Sequence, residues 1–274
     1  MTPEGEAGLD AIVASPKDAL VGLDFDGTLA PIVPDPRAVR AHPDAVPALT
    51  RLAGLVGTVA IITGRPAADA VGYGGLDAVP SLIVLGHYGW QRWQDGQLST
   101  PEPPPGVDLA RDRLPALIKS AGPAAEGTWI EDKAHALAVH TRRAVDPDGA
   151  LERLRGPLTT LAAELDLAAE PGRLVVELRP HGVDKGAALR GLVRETTARS
   201  VLYGGDDLGD LAAFDAVREL RADGIAGCVI ASASPEAPRV AAAADLVVAG
   251  PAGIVRFLDW LADQISAQGG ELLG

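Results

Sequence analysis

Short runs of apolar, mostly β-branched residues punctuate this chain at Leu20–Phe25, Val59–Thr63, Leu82–Leu85, Val201–Tyr203, Cys228–Ala231 and Leu246–Val248. Between the first two, Val46, Leu49, Leu52, Ala53 and Val56 fall at helical offsets in and just past Pro43–Leu55. Continuous apolar runs suit strands buried on both faces, and strand–helix–strand repetition reads as βαβ units with right-handed crossovers. Hydrophobic residues make up 47% of the chain but aromatics only 4%, so Ala, Val and Leu must fill the core, as in helix-covered parallel sheets. The expectation is an α/β fold with a Rossmann-like parallel sheet.

The rhythm breaks at Pro101-Glu102-Pro103-Pro104-Pro105-Gly106, which reads as an exposed linker because proline neither continues a helix nor donates to a ladder. Beyond it, Trp129–Glu131, Ala136–Thr141 and Leu174–Leu178 read as antiparallel strands, and Gly149–Leu165 as a helix. These α+β features predict a cap domain at residues 104–181 inserted into a discontinuous core of residues 1–103 and 182–274. A length of 274 residues accommodates a core domain and a smaller one.

Charge and cysteine narrow the chemistry. Lys and Arg number 24 against 37 Asp and Glu, and the resulting −13 repels nucleic acid and anionic lipid. A single cysteine, Cys228, excludes an internal disulfide and a cysteine-based metal site. With no leader-like or membrane-length apolar segment, the expected location is the cytoplasm and the expected partner a small molecule.

Leu23-Asp24-Phe25-Asp26-Gly27-Thr28-Leu29 closes the first apolar run. Carboxylates two positions apart on a strand followed by a turn-permitting glycine can converge on one point at the carboxyl end of a sheet, where open α/β folds bind ligands. One carboxylate can attack phosphorus while the other handles a proton. An isolated Asp-Gly is more often only a turn, but the full string after a strand is far more specific. It resembles the opening motif of haloacid dehalogenase-type phosphatases.

Such a reaction needs donors for the phosphate, a cation for developing charge, and carboxylates for a metal. Thr63, before Gly64-Arg65, offers a hydroxyl at the same sheet edge, although a helix-capping threonine is as good a reading of the spacing. Lys185 opens a helix in Gly182-Val183-Asp184-Lys185-Gly186, where it opposes the helix dipole and so hints at a functional reason. Asp206, Asp207 and Asp210 crowd a strand end, and an oxygen-only cluster suits Mg²⁺ better than softer metals. The resemblance implies that Asp24, the Asp26 carbonyl and Asp206 hold Mg²⁺, with Asp207 and Asp210 outside them or bound through water.

Ile130-Glu131-Asp132-Lys133, Val139-His140-Thr141-Arg142 and Val176-Glu177-Leu178-Arg179-Pro180, together with Gly86-His87-Tyr88-Gly89-Trp90-Gln91, resemble the trehalose-phosphatases. By that resemblance Arg65, Tyr88, Gln91, Glu131, Lys133, His140, Arg142, Glu177 and Arg179 would contact substrate, and trehalose 6-phosphate is the implied ester. Strand alternation puts Glu131 with Lys133, His140 with Arg142 and Glu177 with Arg179 on shared faces, where they bind sugar hydroxyls or form surface ion pairs. Departures from the family pattern fall at Thr63, which keeps the hydroxyl, and at Tyr88, Gln91, Gly209 and Leu211, so a related disaccharide or pseudo-disaccharide phosphate stays in view. A phosphomutase with the same core, and a single-domain receiver that accepts phosphate on aspartate, are the rival readings.

Overall fold

The computed structural model describes residues 1–233 and 238–271. Its elements, in chain order, begin α1 (Pro3–Ala14), β1 (Ala19–Leu23), α2 (Ala45–Leu55), β2 (Thr58–Ile62), α3 (Ala67–Gly74), β3 (Ile83–Gly86), β4 (Gln91–Gln94) and β5 (Gln97–Ser99). The middle holds α4 (Pro105–Ser120), β6 (Trp129–Asp132), β7 (Leu137–His140), α5 (Pro147–Glu164), β8 (Leu167–Gly172) and β9 (Val175–Pro180). The chain continues through α6 (Lys185–Thr196), β10 (Ser200–Gly205), α7 (Leu211–Ala222), β11 (Ala226–Ser232), α8 (Pro238–Ala243), β12 (Leu246–Val248) and α9 (Gly250–Glu271). They form two units, Met1–Thr100 with Asp184–Gly274, and Pro101–Val183. Among the described residues no helix is long and apolar enough to cross a membrane.

The first unit is built on an eight-stranded sheet ordered β12-β11-β10-β1-β2-β3-β4-β5, parallel from β12 to β3. All of β1 is buried, which explains its unbroken apolar run. Val21 and Leu23 enter one apolar layer with Leu9, Leu49, Leu52 and Leu258, whereas Leu20 enters the opposite layer with Leu189, Tyr203 and Phe214. The chain leaves β1 toward β2 on one side and returns as β10 on the other. The carboxyl ends of β1 and β10 therefore flank the crevice where strand order reverses, the place such sheets reserve for ligands.

Several boundaries differ from the sequence reading. The first strand stops at Leu23 instead of Phe25, because Asp26 and Gly27 turn the chain: Gly27 N–H donates to Ala30 O at 2.7 Å, and Gly27 sits at φ +71°. Pro105 and Gly106 belong to α4, not to a linker; proline is tolerated in a first helical turn, whose N–H groups have no partner in the helix. Gly106 also lies so close to Leu165 O that a Cβ would come within 2.2 Å of it. Helix α1 is absent from the sequence reading, although Thr2 caps it by accepting from Gly5 N–H at 3.1 Å and Pro3 opens it. The β4–β5 hairpin is equally unforeseen, and its signal is plain in retrospect: Asp95 and Gly96 both have positive φ, 50° and 76°, as a two-residue hairpin turn requires.

In the second unit β6-β7-β9-β8 form an antiparallel sheet. Leu137, Val139, Val176 and Leu178 pack with Val107 and Leu114 of α4 and Leu154, Leu158 and Leu161 of α5. Alternation then puts Trp129, Glu131, His140, Glu177 and Arg179 on the other face. Lys133 and Arg142 lie just beyond their strands, so alternation does not set their direction.

Candidate active site

The end of β1 delivers Asp24, only 3% exposed, into a set of buried charges. Its backbone N–H still donates to Gly204 O of β10 at 2.8 Å, which fixes the side chain's origin before the chain turns. Lys185, at the first position of α6, places Nζ 2.9 Å from Asp24 Oδ1 and 2.7 Å from Asp210 Oδ1. Asp184 caps that helix, its Oδ1 accepting from Ala187 N–H at 2.8 Å, so the lysine leaves a rigid helix start.

Asp210 organises the cluster. Its Oδ1 accepts from Lys185 Nζ and from the Tyr203 hydroxyl, each at 2.7 Å, and its Oδ2 accepts from the N–H groups of Asp206 and Asp207, each at 3.0 Å. A carboxylate has about four acceptor sites, and these four bonds use them. Asp210 is thus the brace that orients Lys185 and shapes the acidic loop. The Asp207 side chain is 63% exposed, 3.8 Å from Lys185 Nζ. Tyr203 escaped the sequence reading, its only signal being an aromatic in an otherwise aliphatic strand. Ser232 escaped it too: at the end of β11 it donates to Gly27 O at 2.6 Å and holds the aspartate turn in place.

Burial drives the electrostatics. It presses Lys185 toward neutrality, but the carboxylates of Asp210 and Asp24 more than reverse this and hold its pKa well above the usual lysine value. Burial likewise pushes Asp24 up, and although Lys185 opposes the shift, Asp210 and Asp207 reinforce it. Asp206 is pushed up to about 7, by burial first and then by the charges of Asp210 and Asp207.

Oxygen atoms of Asp24, Asp206 and Asp210 lie within 4.8 Å of one another. Gly27 closes one wall so tightly that a Cβ there would come 2.0 Å from Asp206 Oδ2. Buried, oxygen-only and short of positive charge, this pocket fits a hard divalent cation such as Mg²⁺. Asp210 spends its acceptors within the protein, so of these three carboxylates Asp24 and Asp206 keep acceptors to spare for an ion.

Thr63, the residue just past β2, is buried, and its hydroxyl accepts from Arg65 N–H at 3.2 Å, leaving its own O–H to donate. Arg65 grips Asp26 with two bonds, Nε to Oδ2 at 2.6 Å and Nη2 to Oδ1 at 2.7 Å. Tyr88 stands over Gly64, where a Cβ would come 2.8 Å from its hydroxyl. Gln91 Oε1 accepts from Ala67 N–H at 3.0 Å and so caps α3, and the side-chain NH₂ of Gln91 can still donate.

In the second unit the charged side chains pair with one another. His140 Nε2 lies 2.9 Å from Glu131 Oε2, Lys133 pairs with Glu177, and Arg179 reaches Glu170 at 3.4 Å and Glu177 at 3.9 Å. Arg142 is exposed. His140 also stacks on Trp129 with ring centroids 4.7 Å apart, and Arg143 lies over the same indole at 4.7 Å.

The trehalose-phosphatase family model matches residues 22–249. The trehalose-phosphate phosphatase of Mycobacterium avium (strain 104) is 33% identical over 259 residues, which is 89% of this chain and 62% of that protein. A relative from Sinorhizobium fredii is 31% identical over 227 residues, 79% of this chain and 80% of that one. The chain therefore spans less than two thirds of its mycobacterial relative. Among solved structures, a trehalose-6-phosphate phosphatase of Aspergillus fumigatus superposes with a TM-score of 0.71 at 23% identity, covering 96% of this chain and 98% of that one. A haloacid dehalogenase-like hydrolase from Bacteroides thetaiotaomicron gives 0.58 at 15% identity over 89% of this chain and 99% of that one. The fold is therefore haloacid dehalogenase-like.

Proposed function

The chain belongs to the trehalose-phosphatase family, and from that premise we propose that it hydrolyses a sugar phosphate, trehalose 6-phosphate first, through an aspartyl phosphate on Asp24. One observation carries the reading: the buried carboxyl of Asp24 lies 2.9 Å from Lys185 Nζ inside an oxygen cluster suited to Mg²⁺. Asp24 attacks phosphorus as the bond to the sugar oxygen breaks, and Asp26 gives that oxygen its proton. Asp26 then takes a proton from water, the water oxygen attacks phosphorus, and the Asp24 carboxylate is released. Lys185 and the Thr63 hydroxyl offset charge on the phosphoryl oxygens. Mg²⁺, when held by Asp24, Asp206 and the Asp26 carbonyl, supplies the remaining positive charge. A receiver domain is disfavoured by Asp26 and by the second unit.

The second unit's polar strand face carries the sugar-reading part of the proposal. A panel of sugar phosphates in Mg²⁺ buffer, read as released phosphate, tests it with wild type and Glu177→Ala together. Wild type should prefer trehalose 6-phosphate, and the variant should lose about 10-fold or more on it while p-nitrophenyl phosphate changes little, since each lost charged hydrogen bond costs about 1.5–3 kcal/mol. Equal losses on both esters would reduce Glu177 to a structural partner of Lys133. Preference for another disaccharide phosphate would move the substrate within the class.

Metal binding has a pH signature. Asp206 is raised to about 7 in the folded, metal-free protein, above its unfolded value of about 3.9. The folded state then holds more protons than the unfolded state across that interval, so metal-free stability falls as pH rises through it. A cation on Asp206 competes with that proton. Mg²⁺ at one fixed concentration, roughly 100-fold above its dissociation constant at pH 8, should therefore raise the melting temperature by about 5 °C at pH 8 and by less at pH 5.5. An increment that is absent, or the same at both pH values, would contradict Asp206 as a ligand.

A further inference from the structure

Each nitrogen of the Arg65 guanidinium makes a hydrogen bond within the first unit. Besides Nε and Nη2 on the two oxygens of Asp26, its Nη1 donates to Pro36 O at 2.8 Å, and its Cζ lies 5.6 Å from the centre of the Tyr73 ring. All three nitrogens are engaged and one face rests near an aromatic, with 17% of the side chain exposed. A fork used bidentately on a carboxylate is not also a bidentate fork for phosphate.

The root of this side chain is equally fixed. Arg65 N–H donates to Thr63 Oγ1, while Arg65 O accepts from His87 N–H at 2.8 Å and Thr63 O from Tyr88 N–H at 2.9 Å. His87 and Tyr88 both adopt left-handed backbone angles, φ 49° and 59°, without being glycine. Strain of this kind persists only where the surroundings enforce it, and it collects at functional sites. Here it presents two N–H groups to the Thr63–Arg65 loop, and the Gln91 cap on α3 closes the far side of the same loop. Anchored at both ends, Arg65 is the fixed member of its pair and Asp26, on the turn after β1 with 34% of its side chain exposed, is the one being aimed.

We propose that Arg65 is a positioning residue that aims the Asp26 carboxylate, and that it is not a ligand of the sugar phosphate. This rests on the functional reading above, in which Asp26 carries the proton. Lysine keeps the charge but cannot form the planar two-point grip. Arg65→Lys should therefore lower kcat on trehalose 6-phosphate with Mg²⁺ by about 10–100-fold, the scale of a small misplacement of a catalytic group, with KM within about 2-fold. In the Asp26→Asn background the same change should cost less than about 2-fold, because nothing remains to be aimed. A raised KM, or losses that multiply in the double variant, would overturn the proposal and make Arg65 a substrate ligand. Should wild type turn over no phosphate ester at all, the functional reading fails by itself. A crystal structure of Arg65→Lys then decides the positional claim: a turned Asp26 carboxylate supports it, and an unmoved one overturns it.

Discussion

Asp24→Asn is expected to cut turnover by about 10⁴-fold or more while the protein melts at its original temperature or slightly above it. An amide of the same shape keeps the packing at the end of β1 but is no adequate nucleophile, and loss of a covalent nucleophile costs on the order of 10⁴–10⁶-fold. Stability moves the other way because burial, Asp210 and Asp207 push the Asp24 carboxyl up, so its charge is unfavourable in the folded protein. Neutralising it removes repulsion, and Lys185 still holds Asp210 at 2.7 Å. Activity bought against stability is the mark of a functional carboxylate. Phosphate release near the wild-type rate, with a clear drop in melting temperature, would mark Asp24 as a structural residue instead.

The second large effect is expected at Lys185. Replacing it with methionine strands Asp24 and Asp210, whose side chains are 5% and 0% exposed, without their shared cation. Breaking a buried ion pair by removing one partner costs about 3–5 kcal/mol, and urea denaturation should register a loss of that order together with loss of turnover. Part of the stability should return in Lys185→Met with Asp24→Asn, since the two changes share one interaction. A loss below about 1 kcal/mol would mean that the carboxylates accept protons at little cost and that the network does not depend on the lysine.

How far the sequence carries this site depends on how local each interaction is. Asp24, Asp26 and Gly27 are legible because the chemistry and the turn lie within four consecutive positions, and Lys185 because it sits where a helix start would not choose a lysine. Asp206, Asp207 and Asp210 are legible as an acidic cluster, but their different parts are not. That Asp210 is a saturated brace follows from bonds to Tyr203 and Lys185, residues 7 and 25 positions away in the chain. Ser232, 205 positions from Gly27, leaves no trace in any motif. The family resemblance implies a substrate contact for Arg65, and its bonds to Asp26, a partner 39 residues earlier, leave no trace in the motif.

The fold shows the same division. Continuous apolar runs mark the parallel strands well, since burial on both faces demands them. The partly exposed β4 and the exposed β5, with their Gln, Arg and Ser, carry no such mark, and only the Asp95-Gly96 turn betrays them. The proline run misleads at its end because it is read as a block, although Pro105 occupies one of the few helical positions that tolerate proline.

In the proposed mechanism every phosphate released passes through Asp24. Wild-type protein mixed with trehalose 6-phosphate and Mg²⁺, quenched in acid within milliseconds and digested, is examined by mass spectrometry for one added phosphoryl group, with Asp26→Asn run beside it to slow hydrolysis of the intermediate. That group is expected on the peptide carrying Asp24, absent in Asp24→Asn and more abundant in Asp26→Asn. Steady release of phosphate with no phosphoryl group on that peptide at any quench time would contradict the mechanism.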